Sequence, residues 1–194
     1  YEEPCDSSDL LPLNIIQQIV GTFLYYGIAM DNTLLVGLND LSQEQSKATS
    51  NTSKKTAKLL NYLATHPDAQ IKYHASGMIL HVHSDASYLS VNKARSRAGG
   101  VHFLSDLIPD TDDPDYVPIM NGILHIVCKI LKNIMASAAE AELGALFINA
   151  KEAVYIRNIL TEMGHPQPPT PLTSSKPYRF FPRYSINPKV LIVI

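Results

Sequence analysis

A chain of 194 residues holds one ordinary domain, or a small domain with a helical extension, and is long enough to bury a real core. With 45% apolar and 18% charged residues it is not a wholly disordered polymer, and a net charge of −2 gives no global attraction to nucleic acid, so any such contact must come from local basic clusters. Only two cysteines occur, Cys5 and Cys128, far apart and in no metal-like spacing, which points to reduced thiols in an intracellular setting, cytoplasmic or nuclear.

The chain opens Tyr1-Glu2-Glu3-Pro4, without the basic start of a signal peptide and without an initiating Met, so a fragment of a longer reading frame is expected. The apolar run Ile19 to Met30 is too short to span a bilayer and is broken by Gly21 and Gly27, so no membrane partner is expected. Residues 10 to 66 read as helical. Ile15, Ile16, Ile19, Val20 and Phe23 recur at helical spacing, as do Leu34, Leu35, Leu38 and Leu41. Asn51-Thr52-Ser53 is expected to cap a third helix with Ala57, Leu60 and Leu63 on its apolar face and Lys54, Lys55 and Lys58 as a solvated stripe.

The period changes after Pro67. Met78 to Ser84 alternates as a strand, with Leu80 and Val82 on one face and Ile79, His81 and His83 on the other, and Ala86-Ser87-Tyr88 is expected to turn the chain. Val101 to Leu104, entered through Gly99-Gly100, reads as a second strand and Ile123 to Ile130 as a third, with a proline-rich acidic loop, Asp106 to Pro118, between them. A long helical region, with room for a break, runs from Ser137 to Met163 and is stopped by Gly164 and His165-Pro166-Gln167-Pro168-Pro169. After Pro171 the composition shifts, and neither Arg179 to Tyr184 nor Val190 to Ile194 matches an element that the preceding pattern requires.

Four groups of residues could carry chemistry. His81, His83 and Asp85 alternate on one strand face, which reads either as a metal site or as the polar outer face of a half-exposed strand. Ser137 with Glu140 is a capping box, which gives Glu140 a structural job. Glu142 shares a helical face with Ala145, Leu146, Asn149 and Ala153, suited to close packing on a sheet. It reads either as a carboxylate directed toward Asp85 or as a first-turn glutamate stabilised by the helix dipole. Lys93, Arg95 and Arg97 alternate and would line one side of an extended backbone as a phosphate-binding patch, or form an ordinary basic turn. The acidic stretch Asp110 to Asp115 fails as a calcium loop, because Pro114 takes a ligand position and the sixth position is not glycine.

Taken in order, several stretches resemble copia-type retrotransposon Pol proteins. Gln18 to Tyr26 is similar to the Leu-Val-Gly-Ser-Leu-Leu-Tyr segment late in their reverse transcriptase, and Lys58 to Leu63 to the helix that follows. Ser84-Asp85-Ala86 resembles the Ser-Asp-Ala that opens their RNase H domain, and Ser96 to Leu104 its second strand. Ser137 to Leu143 with Ala150 to Arg157 resembles the Ser-Ser-Thr-Glu-Ala-Glu-Tyr and Ala-x-Lys-Glu-Ala helix. The resemblance runs from about Ile15 to Thr173. It implies residues 1–70 as the helical end of a reverse transcriptase, 71–173 as a truncated RNase H-like domain with a mixed sheet flanked by helices, and 174–194 as a divergent tail. It also implies two-metal hydrolysis of RNA in RNA–DNA hybrids, with Mg²⁺ held by Asp85 and Glu142 and with the rest of a Pol polyprotein as partner. Where the family has a third metal-binding aspartate this chain has Ser175, so a chain without cleavage activity is expected. A non-catalytic module that binds nucleic acid or a protein is the alternative.

Overall fold

In a computed structural model describing residues 12–107, 120–169, 172–174 and 190–193, the chain divides into two compact units, Tyr1–Ile71 and Lys72–Ile194. The first is helical, with α1 (Leu13–Ala29), α2 (Leu35–Glu44) and α3 (Ser50–Thr65). Ile16 and Val20, one turn apart on α1, bury against Leu41 of α2, with Ala48 and Leu59 packed round them. Gly27 lets the helices meet, since a Cβ there would stand 3.2 Å from side-chain carbons of both Leu35 and Leu38. Asn32 Nδ2 donates to the Gly27 carbonyl at 2.9 Å and so satisfies a carbonyl at the end of α1.

Two details of α3 depart from the sequence reading. The cap is Thr49 rather than Asn51 to Ser53. Thr49 Oγ1 accepts from the Thr52 amide, and Thr52 Oγ1 accepts in return from the Thr49 amide. The inner side of the helix carries Thr52, Thr56 and Leu59, whereas Ala57 and Leu60 are exposed. The threonines tolerate burial because their hydroxyls are used: Thr56 Oγ1 donates to the Thr52 carbonyl at 2.8 Å, and Thr52 Oγ1 to Glu44 at 3.0 Å. Of the lysine stripe, Lys54 and Lys58 are exposed and Lys55 pairs with Glu44.

The second unit contains β1 (Ile79–Val91), β2 (Arg95–Ser105), β3 (Ile123–Ile130), α4 (Ala138–Glu162), β4 (Leu172–Ser174) and β5 (Val190–Val193). The sheet order is β3-β2-β1-β5-β4, and each neighbouring pair is antiparallel. The chain thus combines helices with an antiparallel sheet, and the described strands do not form a mixed one. Alternation along β1 puts Leu80, Val82, Ser84 and Ala86 under α4. Leu80 and Val82 pack with Ala153 and Leu160, and Ala98 packs with Leu131, Ala141 and Ala145, so alanines let the helix lie close to the sheet.

The hairpin differs from expectation. β1 does not turn at Ala86 to Tyr88 but stays paired through Ser87↔Arg97 and, past an irregularity, Val91↔Arg95. The turn falls at Asn92–Ala94, where Lys93 and Ala94 take left-handed φ values of 64° and 52°, as tight hairpin turns require. β2 therefore starts at Arg95, and Gly99-Gly100 lies inside it. Glycine is needed at 100 because a Cβ there would sit 1.7 Å from Asn149 Oδ1. α4 runs without a break and ends at Gly164, φ 91°, where the His165 amide donates back to the Leu160 carbonyl at 2.9 Å.

Among the described residues no helix is long and apolar enough to cross a membrane. Cys5, Ser175, most of the acidic loop and most of the tail after residue 174 lie outside the described residues.

Candidate functional site

Asp85 lies well inside β1 rather than at its end, because the strand continues to Val91. Register sets it opposite Gly99, which in turn faces the half-buried Cys128 of β3. Asp85 is half-buried, and its Oδ1 is buried without a hydrogen-bond partner. Asn149 on α4, fully buried, points Nδ2 at Ser84 Oγ (3.0 Å), the Gly99 carbonyl (2.9 Å) and the Ala145 carbonyl (3.0 Å). One amide therefore ties the helix to both strands directly behind Asp85.

The two glutamates at the start of α4 have separate surroundings. Ser137 Oγ accepts from the Glu140 amide at 3.1 Å, and Glu140 is exposed, its carboxylate accepting from the Ala136 amide at 2.6 Å. Glu142 is half-buried beside the sheet-facing Ala141. Alternation places Asp85 on the sheet face away from α4, so Asp85 and Glu142 start from opposite sides of the sheet.

The orphaned Asp85 oxygen suits one contact to a cation. Among the described residues, however, no group of three or more His, Cys, Asp or Glu is placed to hold a metal ion. The described donors therefore do not fit a two-Mg²⁺ centre. No protein-family model, curated protein or solved structure matches the chain.

Among the described residues His81 and His83 belong to no group that could hold a metal ion, and they do not form a half-exposed polar face. Both are buried and stack on Phe103, with ring centroids 5.4 and 5.6 Å away. His81 Nε2 donates to the Asp106 carbonyl at 2.9 Å. Burial pushes both imidazoles below their ordinary pKa. His83 falls to about 4, with His81 beside it adding to the effect, while Asp106 partly offsets the drop at His81.

A third buried histidine, His102, carried no signal in the sequence, because a lone His in an apolar strand looks like any half-polar position. It lies on the α4 side, its Nε2 3.3 Å from the Asn149 carbonyl and its ring 5.1 Å from that of His125. Burial lowers its pKa as well, with the Asn149 carbonyl opposing. Asn149 was legible only as one member of a small-residue face.

The basic patch is divided. Lys93 sits exposed in the turn, outside the extended backbone that was expected to align all three charges. Arg95 is exposed at the start of β2, and Arg97 is half-buried.

Proposed function

We propose that this chain is a piece of a copia-type reverse transcriptase running into its RNase H-like part, and that as it stands it does not cleave RNA. What supports the reading is the succession of parts. A helical unit is followed by an antiparallel meander with Asp85 on the middle strand of the sheet, and then by a helix capped by Ser137 that carries Glu142 and lies on the meander. That is the order in which the family motifs occur in the sequence. The expected inactivity rests on charge. Two carboxylates cannot offset two divalent cations, and Ser175 stands where the family has its third carboxylate.

The test is a cleavage assay on an RNA–DNA hybrid, run in Mg²⁺ and in Mn²⁺. No cleavage above buffer is expected. Cleavage that disappears in Asp85→Asn would overturn the inactive reading.

A non-catalytic nucleic-acid-binding module is the second reading, favoured by the exposure of Lys93 and Arg95 at one hairpin tip. Under it, Lys93→Ala and Arg95→Ala should each lower the salt slope of hybrid binding by about one. Binding indifferent to both would remove this reading.

A further inference from the structure

Asn121-Gly122, just ahead of β3, is the only Asn-Gly pair in the chain, and the fold fixes both residues. Asn121 pairs with the backbone of His74 in both directions. Its Oδ1 accepts from the His74 amide and its Nδ2 donates to the His74 carbonyl, each at 2.8 Å. Such a clamp needs a donor and an acceptor on one side chain, which a carboxamide supplies. Glycine is required next to it, since a Cβ at 122 would stand 2.6 Å from the Tyr73 ring and 2.7 Å from the Lys72 carbonyl. The Gly122 amide in turn donates to the same Oδ1 at 2.8 Å. With a C=O bond of about 1.23 Å, its nitrogen is then no more than about 4 Å from Cγ, near the separation at which bonds form.

We propose that Asn121 is a self-modifying site, deamidating through the Gly122 backbone in the folded protein and so releasing the head of β3 from His74. The Gly122 nitrogen, its proton lost to solvent base, attacks Cγ of Asn121 and an N–Cγ bond forms. The Cγ–Nδ2 bond then breaks, and the amide group takes up a proton and leaves as ammonia. Water opens the resulting succinimide at either carbonyl to give aspartate or isoaspartate, so water is the only reagent consumed. The His74 N–H already points at Oδ1, where negative charge gathers in the tetrahedral intermediate, and glycine puts no side chain in the way of attack. Loss of ammonia makes the change one-way, and the change destroys the clamp. Aspartate offers acceptors only, so an oxygen replaces the donor that faced the His74 carbonyl. Isoaspartate also adds a methylene to the main chain just before Ile123, where β3 begins.

The experiment is peptide mapping by mass spectrometry of the full chain, incubated folded at neutral and at mildly alkaline pH, with enzymatic methylation to count isoaspartate. Asn121 should convert first, about tenfold ahead of the other asparagines, because its attacking group is already in place. Conversion should quicken at the higher pH, since the nucleophile is the deprotonated amide. Hydrogen exchange should show the His74 amide losing at least about tenfold in protection, both in the converted fraction and in Asn121→Asp, with the β1–β2 amides unchanged. Three results would each overturn the proposal. Asn121 could keep its amide while Asn92, exposed in the hairpin turn, converts. Conversion could slow in step with the unfolded fraction when sucrose stabilises the fold, which would place the reaction in the unfolded chain. The Asn121→Asp chain could leave the His74 amide as protected as before.

Discussion

Asn149 concentrates much of the second unit's specificity in one side chain. A buried amide is costly unless its groups are used, and here Nδ2 serves two strands and its own helix, while Oδ1 is buried against Gly100 with no hydrogen-bond partner. Gly100→Ala would drive a methyl group into that oxygen, costing about 2–4 kcal/mol. Asn149→Ala alone should cost about 2–3 kcal/mol. Because the two sites touch, the double variant should lose at least about 1 kcal/mol less than the sum, as read from urea unfolding. Simple additivity would mean that the close approach is not what glycine is kept for. Nothing local to Gly99-Gly100 reveals this role. Glycine pairs usually mark strand boundaries, and the reason for this one lies on a helix far along the chain. The buried face of α3 was expected at Ala57, Leu60 and Leu63 for a similar reason, since hydroxyls satisfied within the fold, those of Thr52 and Thr56, can occupy a face that composition assigns to apolar residues.

The strands and helices were legible where apolar pattern alone decides them. β3 matches its expected bounds, Ile123 to Ile130, because an apolar-rich run broken only by His125 and Lys129 follows Asn121-Gly122. The end of β1 was not legible, because Ala86-Ser87-Tyr88 reads as a turn, whereas Ala86 and Ser87 stay paired with β2 and the strand resumes its pairing at Val91, past an irregularity with Leu89 at φ 51°. The histidines of β1 were expected on a wet face, yet both faces of that stretch are buried. That burial has a pH consequence. The folded pKa of His83, about 4, lies below the ordinary 6.5, so in the window between them the unfolded chain binds more protons. The contribution of His83 is complete above pH 6.5 and is lost as pH falls toward 4, about 3 kcal/mol over the window. His81 and His102, also lowered, act in the same direction. Urea midpoints measured from pH 7.5 to 4.5 should fall, and His83→Gln should flatten the fall. An unchanged slope in that variant would place the acid sensitivity elsewhere.

Across the whole molecule, the change from helical to strand period near Pro67 falls close to the division between Ile71 and Lys72. Periodicity reports this because helices and strands each bury their own face. It does not report which distant segments meet. The best case is the stretch just before β1. The Gly77 amide donates to Asp106 Oδ1 at 2.6 Å. The His74 amide and carbonyl exchange hydrogen bonds with the Asn121 side chain, both 2.8 Å, and Tyr73 Oη donates to the Ile123 carbonyl at 2.9 Å. Both stems of the β2–β3 connection are therefore fastened to residues 73–77. Closing a flexible loop costs only about 0.6 kcal/mol more for each doubling of its length. With both stems fastened, foreign sequence placed between them should be tolerated. A peptide epitope as long as the loop itself, inserted after Asp112, should move the melting midpoint by less than about 4 °C. In an Asn121→Ala background, with one stem released, the same insertion should move it further.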